Sequence, residues 1–229
     1  MKAMILAAGM GNRMRPLTLH KPKPLLEVGG KPLIVWHIEK LQKIGVTEIV
    51  INTAWLGEKL ATALGDGSQF GVKILWSHEG EGLETAGGII NALDLLGTAP
   101  FILVNGDVWT TMDFTSLFNV RLDDDLAHLV FVTNPEQHPN GDFTLMEGRA
   151  YTFDQEKQGE ALTYSGVAVI HPKMFEGLEG GKRALAPLLK QAMLQQKISA
   201  SKMNAVWVDV GTPERLNVLD QQIKQGLYA

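Results

Sequence analysis

The sequence predicts an α/β fold with a mixed, mostly parallel sheet flanked by helices and a small β-hairpin region. Short apolar runs of strand length alternate with stretches in which apolar residues recur every three or four positions. This alternation is typical of a sheet built largely from parallel strands with helical crossovers. Ligands of such sheets bind beyond the carboxyl ends of the strands, so the residues that follow each strand are the candidate site.

The first half of the chain contains four predicted strands, each a short run of buried-type residues: 2–7, 48–52, 72–76 and 101–104. Three helices are predicted between them, at 32–44, 55–64 and 85–96. Pro32 suits a first helical turn, and Gly45 ends that helix. Thr85 is the predicted N-cap of the third helix, because a threonine hydroxyl can accept from an amide of the first turn.

The second half is predicted to continue with strands at 126–132, 164–170 and 205–209 and a helix at 183–196. A β-hairpin is predicted over 143–153, with its turn at Gly148. Thr212 and Pro213 predict the start of a last helix, and Gly226 predicts its end. We expect residues 1–229 to form a single domain.

Composition excludes several classes of function. The 229 residues carry 21 Lys and Arg against 25 Asp and Glu, a net charge of −4, which argues against a nucleic-acid or membrane-surface protein. The absence of cysteine excludes a disulfide framework, a zinc finger and a thiol nucleophile. The first apolar run is too short for a signal peptide, and no run approaches a membrane span. We therefore expect a cytoplasmic protein without an obligate protein partner.

A glycine turn, Gly9-Met10-Gly11, follows the first strand. Glycines at this point let backbone N–H groups approach a phosphate, although a simple tight turn is an equal alternative. A dinucleotide site is disfavoured because Met14 stands where the third glycine of that fingerprint belongs. No GxxxxGK[ST] motif is present.

A basic segment follows the glycine turn. Residues 13–31 hold five basic side chains against one acid, Glu27; the five are Arg13, Arg15, Lys21, Lys23 and Lys31. Prolines at 22 and 24 present Lys23 on a stiff backbone. Such a segment suits a polyphosphate, and a merely solvated basic loop is the alternative.

Two aspartates follow predicted strands, Asp107 after 101–104 and Asp209 at the end of 205–209. They would converge if the two strands were parallel neighbours. Paired carboxylates beside a phosphate are typical ligands of Mg²⁺, whereas each aspartate alone could equally be a turn or capping residue.

Five segments together resemble the sugar-1-phosphate nucleotidyltransferase family: LAAGMGNRMRPLT (6–18), PKPLL (22–26), LETAGGI (83–89), NGD (105–107) and WVDVGTP (207–213). The resemblance spans nearly the whole chain. It implies the Rossmann-like nucleotide-diphospho-sugar transferase fold, with a nucleotide-binding half at about 1–110 and a sugar-binding half at about 111–229. It also implies the reaction NTP + sugar 1-phosphate → NDP-sugar + pyrophosphate. It favours UTP and N-acetylmuramic acid 1-phosphate in cell-wall recycling. Mannose-1-phosphate guanylyltransferases are the nearest alternative, and a non-catalytic nucleotide-sugar binding module is a second one.

The resemblance also implies residue roles. The expected catalytic residues are Arg13, Lys23 and Asp107. The expected nucleotide contacts are Gly9, Gly11, Asn12, Arg13, Lys23, Glu84, Gly87 and Gly88. The expected Mg²⁺ ligands are Asp107 and Asp209. The family's usual Glu-Lys-Pro sugar motif is missing, so the expected sugar contacts move to Asn105, Asn140, Asp142 and Gly166.

Overall fold

The computed structural model describes residues 1–228, and its centre is a nine-stranded mixed sheet. In chain order the strands of the molecule are β1 (Ala3–Leu6), β2 (Glu27–Val28), β3 (Lys31–Pro32), β4 (Glu48–Thr53), β5 (Lys73–His78), β6 (Phe101–Asn105), β7 (Val108–Thr110), β8 (Ala127–Val132), β9 (Phe143–Met146), β10 (Arg149–Tyr151), β11 (Glu160–Ile170), β12 (Ile198–Lys202) and β13 (Trp207–Asp209). The order across the large sheet is β5-β4-β1-β6-β11-β8-β12-β10-β9. The mixed α/β architecture that the sequence predicts is confirmed.

The helices flank this sheet, and they are α1 (Leu33–Lys43), α2 (Gly57–Leu64), α3 (Glu84–Asn91), α4 (Leu93–Leu96), α5 (Thr115–Phe118), α6 (Ala186–Leu194) and α7 (Pro213–Lys224). None of the helices in the described residues is both long enough and apolar enough to cross a membrane.

Parallel pairing is concentrated in the first half of the sheet. Strands β5, β4, β1 and β6 run parallel, with Ile5 level with Ile51 on one side and Val104 on the other. Strand β11 then pairs antiparallel with both β6 and β8, and β8 pairs parallel with β12. Because β5, β4, β1 and β6 all point the same way, the loops after them share one edge of the sheet.

Both faces of the sheet are buried, which explains why its strands are continuous apolar runs. Side chains alternate across β1, so that Ile5 belongs to the core shared with α1 and α2. Met4 belongs to the core shared with α3 and α6 on the other face. A third cluster joins α7 to the loop after β1, where Met14 is buried among Trp109 and Leu216.

Several local predictions are confirmed. The hairpin β9–β10 pairs antiparallel around Gly148, whose φ is +74°. The last helix begins as expected, with the Thr212 hydroxyl accepting from the Arg215 amide at 3.3 Å.

Other local expectations do not hold. Thr85 does not cap α3, which begins one residue earlier and has no side-chain cap, and the predicted helix over 85–96 is divided at Ala92. The helix predicted at 183–196 covers only Ala186–Leu194, because the residues before it pair with the α3 segment instead. Strands β2, β3, β7 and β12 and the short helix α5 were not predicted, and none of them is longer than five residues. The strand carrying Asp209 is antiparallel to β7 in a separate two-stranded sheet, so it is no parallel neighbour of β6.

Candidate active site

A cavity of about 500 Å³ lies at the shared carboxyl edge of β1, β4, β5 and β6. Eight of the residues expected in the site line it: Gly9, Gly11, Asn12, Arg13, Lys23, Glu84, Asn105 and Asp107. They come from three segments, at or after the ends of β1, β5 and β6, and the parallel strands bring those segments together. The cavity has the size of a small-molecule site.

The glycine turn forms one wall of this cavity. Gly11 is left-handed at φ +63°, and a Cβ there would lie 2.8 Å from Thr18 Cγ2. The Thr18 hydroxyl donates to the Gly11 carbonyl at 2.8 Å and closes the loop. Within residues 1–228, the backbone N–H groups of Gly9, Met10 and Gly11 donate to no protein acceptor. These donors are therefore free to bind an anion.

Met14 explains why the loop departs from the dinucleotide fingerprint. Its amide donates to the Gly11 carbonyl at 2.9 Å, and its side chain is only 1% exposed. Met14 thus anchors the loop to the core at the position where a dinucleotide fold needs a small residue.

The basic segment contributes two of its five cations to the cavity, Arg13 and Lys23. Lys21 pairs instead with Glu27 at 2.7 Å on the surface, and Lys31 lies over the ring of Trp36. Surface pairs of this kind contribute little to stability. Of the five basic residues in the segment predicted to suit a polyphosphate, two therefore lie at the cavity.

Lys23 is the more constrained of these two cations. It is 7% exposed in a short 3₁₀ turn, and its Nζ lies 2.7 Å from Asp107 Oδ2. The two prolines around it hold this turn, as the sequence predicts. Arg13 differs, because within the described chain it is exposed and makes no ion pair. One cation is thus held in place, and the other is available to a ligand.

Asp107 lines the cavity, whereas Asp209 does not, although Gly211 does. The two aspartates are joined through the backbone, because the Val210 amide donates to the Asp107 carbonyl at 3.0 Å and Asp209 is level with Val108. Asp209 Oδ2 accepts from Arg215 Nη1 at 2.6 Å. In each aspartate, within residues 1–228, Oδ1 has no hydrogen-bond partner.

The chemistry of these carboxylates fits Mg²⁺ only if a substrate completes the coordination. Residues 1–228 contain no group of three or more His, Cys, Asp or Glu side chains that could hold a metal. Mg²⁺ commonly binds through one or two carboxylates together with substrate phosphates. Asp107 would offer such a carboxylate from the cavity lining, and Asp209 would offer one from beside Gly211.

A buried polar pair, Asn52 and Glu79, also lines the cavity and was not predicted. Asn52 is 2% exposed at the end of β4, and Glu79 is 4% exposed just after β5. Asn52 Nδ2 donates to Glu79 Oε1 at 2.6 Å. The signal in the sequence was the polar residue that ends the run EIVIN, since strand ends are where α/β sheets bind ligands.

The segment after β5 forms a second wall of the cavity, because β5 lies two strands from β1 in the sheet, and this segment is paired with a distant loop. Arg183 donates its amide to the Leu83 carbonyl at 2.9 Å and accepts from the Gly87 amide at 3.0 Å. This pairing carries Lys182 into the cavity lining, 3.7 Å from Glu84. No feature of the sequence pointed to Lys182.

Gly87 and Gly88 do not line the cavity. At each of them another part of the chain packs closely against the backbone. A Cβ on Gly87 would collide with the backbone of the 181–183 loop. A Cβ on Gly88 would lie 2.5 Å from Glu79 Oε1. Their absent side chains therefore serve the packing of this wall.

The expected sugar contacts are only partly gathered. Asn105 lines the cavity and packs against Gly166, whose φ is +78° at an irregularity of β11. Asn140 and Asp142 do not line the cavity. The Asp142 carboxylate instead accepts from the Tyr164 amide at 2.8 Å and contacts His138 Nε2 at 3.0 Å, so it braces the same irregularity.

His37 lies behind the cavity lining and forms a hydrogen bond with the residue after Asp107. Its Nε2 lies 2.7 Å from the carbonyl of Val108, the residue after Asp107, so Nε2 carries the proton and donates. Burial lowers the pKa of His37 to about 4, and the hydrogen bond to Val108 only partly opposes this shift. The imidazole is therefore neutral at physiological pH and serves as a structural donor.

Comparisons with known proteins agree with this geometry. A family model described as nucleotidyl transferase matches residues 2–226. An N-acetylmuramate alpha-1-phosphate uridylyltransferase of Neisseria meningitidis serogroup B is 53% identical over 221 residues, covering 94% of this chain and 95% of that protein.

A probable mannose-1-phosphate guanylyltransferase of Oryza sativa is 31% identical over 229 residues. The match covers 93% of this chain but only 62% of the rice protein. A solved Bacillus anthracis structure with bound sucrose has a TM-score of 0.85 at 20% identity, covering 97% of this chain and 95% of that one. At that identity the structural match supports the fold alone.

Proposed function

Because this chain belongs to the nucleotidyl transferase family and is a sugar-1-phosphate nucleotidyltransferase, we propose that it transfers a uridylyl group from UTP to N-acetylmuramic acid 1-phosphate. The products are the UDP-sugar and pyrophosphate. The proposed substrates follow the N. meningitidis relative, with which this chain shares 53% of its residues at nearly equal length. With these substrates the reaction belongs to the recycling of cell-wall amino sugars in the cytoplasm.

The observation that carries the proposal is the meeting of the Lys23–Asp107 ion pair with the unpaired N–H groups of the glycine turn in one cavity. A polyphosphate needs fixed positive charge and free donors on a preorganised backbone, and both are present. A carboxylate beside the cation keeps the ammonium in position before the substrate binds.

The reaction needs no general base. The attacking oxygen of the sugar phosphate is already an anion, so a new bond to the α-phosphorus forms while the bond to the β-phosphate oxygen breaks. Pyrophosphate leaves with the electron pair of that bond. Catalysis of such a transfer is positioning and neutralisation of charge.

Each named residue has a role within that scheme. Lys23 would screen the repulsion between the anionic sugar phosphate and the α-phosphate, because its ammonium is held in the cavity by Asp107. Arg13 would neutralise the departing pyrophosphate, since a guanidinium can bind two phosphate oxygens at once. Gly9, Gly11 and Asn12 would cradle the phosphates, and Glu84 would lie beside the base and ribose.

We further propose that Asp107 and Asp209 hold Mg²⁺, which neutralises phosphate charge when bound. Removal of the metal with EDTA should abolish turnover, and added Mg²⁺ should restore it. Asn105 and Gly166 are the proposed sugar-side contacts, with Asn140 and Asp142 shaping the loop beside them.

The test is a pyrophosphate-release assay with four nucleoside triphosphates and a panel of sugar 1-phosphates. We expect the highest kcat/KM with UTP and N-acetylmuramic acid 1-phosphate. Higher kcat/KM with GTP and mannose 1-phosphate would favour the activity named for the rice relative. Release from no pair, despite nucleotide binding, would leave a nucleotide-sugar binding module as the better description.

A further inference from the structure

We propose that Asn52 and Glu79 form a clamp that sets the distance between the phosphate-binding wall and the base-binding wall of the cavity. The clamp acts as a pair of positioning residues for the nucleotide. This inference rests on the proposed function, because it assigns the glycine turn to the phosphates and the Leu83–Glu84 wall to the base and ribose.

A continuous chain of hydrogen bonds links the glycine turn to the Leu83–Glu84 wall through this clamp. The Ala7 amide, at the start of the glycine turn, donates to Asn52 Oδ1 at 2.8 Å. Asn52 Nδ2 donates to Glu79 Oε1 at 2.6 Å. Glu79 Oε2 then accepts from the Leu83 amide at 2.8 Å. Three bonds thus connect one wall of the cavity to the other.

The burial of the clamp makes each of these bonds consequential. Asn52 is 2% and Glu79 4% exposed, so a lost partner would not be replaced by bulk water. An unsatisfied buried donor or acceptor costs far more than the net gain from an ordinary hydrogen bond. Gly88 leaves the space that Glu79 Oε1 and Asn52 Nδ2 occupy.

The clamp also holds an unusual backbone conformation. Glu84, the residue after Leu83, lines the cavity with φ at +60°, in the left-handed region that non-glycine residues rarely adopt. Such a conformation persists only where its surroundings hold it in place. The bond from the Leu83 amide to Glu79 on one side and the pairing of the Leu83 carbonyl with Arg183 on the other provide that restraint.

The donors and acceptors of the chain allow a test by exchange. In Glu79→Gln, two N–H donors must face each other in every orientation of the two amides. In Asn52→Asp, two carboxylate oxygens face each other and repel unless the pair binds a proton, so the defect of this variant should deepen as the pH rises. The double variant restores every bond, because the new glutamine donates to the new aspartate and accepts from the Leu83 amide. It also keeps one buried negative charge.

The experiment measures the KM for UTP, kcat and equilibrium UTP binding for the wild type, both single variants and the double variant. Each single variant should raise the KM and Kd for UTP about tenfold or more, the scale expected for one unsatisfied buried group. The KM for the sugar phosphate should change less than about twofold, and the double variant should return to within about threefold of wild type. Asn91→Asp, the same substitution at a side chain that bonds Ser77 outside the cavity, is the matched control.

A second probe separates spacing from a general loss of structure. Inorganic tripolyphosphate can occupy the glycine turn but cannot reach the base-binding wall, so its inhibition constant should be nearly unchanged in the single variants. The clamp would be overturned if the single variants lost affinity equally for tripolyphosphate and for UTP. It would also be overturned if the double variant bound UTP no more tightly than the single variant with the lower UTP affinity. The comparison of double variant with wild type remains valid even if a single variant fails to fold.

The clamp and the proposed function fail in different ways. Wild-type protein that binds UTP but releases no pyrophosphate would overturn the function, while the binding data would still judge the clamp. Normal turnover with unchanged UTP affinity in both single variants would overturn the clamp and leave the function intact.

Discussion

The buried histidine of α1 should make the stability of this enzyme depend on pH. His37 is 1% exposed, and burial lowers its pKa from the usual 6.5 to about 4. Lys40 lowers it further, whereas the hydrogen bond to Val108 and the charge of Asp107 raise it. The unfolded chain therefore binds a proton at this residue at a higher pH than the folded chain does.

The sign and size of the effect follow from proton linkage. Stability from the neutral imidazole is fully present above about pH 6.5 and is lost as the pH falls towards 4. With these two pKa values, the free energy of unfolding should fall by about 2 kcal/mol between pH 7.5 and 5.0 on account of His37. Because the group is buried, this value needs no reduction for solvent screening.

Urea denaturation of the wild type and of His37→Gln at several pH values measures this effect. The glutamine amide can still donate a hydrogen bond but does not titrate, so the stability difference between the two proteins should narrow by about 2 kcal/mol as the pH falls from 7.5 to 5.0. The same substitution at the exposed His20 is the matched control. A difference between wild type and His37→Gln that stays constant over this range would refute the reasoning.

Three further substitutions test the cavity. Lys23→Ala should lower kcat about 100-fold or more, because a preorganised charge is lost. Lys21→Ala, which removes a surface pair, should leave kcat unchanged, and an unchanged kcat in Lys23→Ala would exclude the catalytic role of Lys23. Asp209→Asn should abolish Mg²⁺-dependent pyrophosphate release, and a near-normal rate would contradict the metal assignment. Gly88→Ala should raise the KM for UTP and lower the Tm, because its Cβ would lie 2.5 Å from a clamp oxygen; Gly80→Ala, with open space around it, is the control, and equal behaviour of the two would argue against the clamp.

The placement of a residue at the cavity could be predicted from the sequence where that placement depends on the residue's own strand. The apolar runs of β1, β4, β5 and β6 predict parallel strands, and the glycine turn, Lys23 and Asp107 follow those strands or adjoin them closely in the chain. Proline neighbours and a glycine turn are local features, so the geometry of this wall can be read from a short stretch of chain. The expected residues of this wall also line the cavity.

Sequence reasoning failed where a position depends on pairing between distant segments. Lys182 reaches the cavity only because Arg183 pairs with the backbone of the α3 segment, about a hundred residues earlier in the chain. Asp209 similarly depends on antiparallel pairing of β13 with β7, a strand too short to be predicted. No local pattern of residues records such pairings.

The clamp connects a wall of the cavity that local sequence determines to a wall that depends on distant pairing. The phosphate-binding wall is shaped by local backbone features, whereas the base-binding wall depends on contacts with a distant loop, and a nucleotide must contact both at once. A ligand that spans two independently built walls binds well only if their separation is fixed before it arrives, because ordering them on binding would reduce its affinity. A short, buried and fully satisfied chain of hydrogen bonds provides that fixed separation, since lengthening it would leave polar groups unpaired where water cannot reach them. The buried polar residues at the ends of β4 and β5 are therefore best understood through the distance that they maintain.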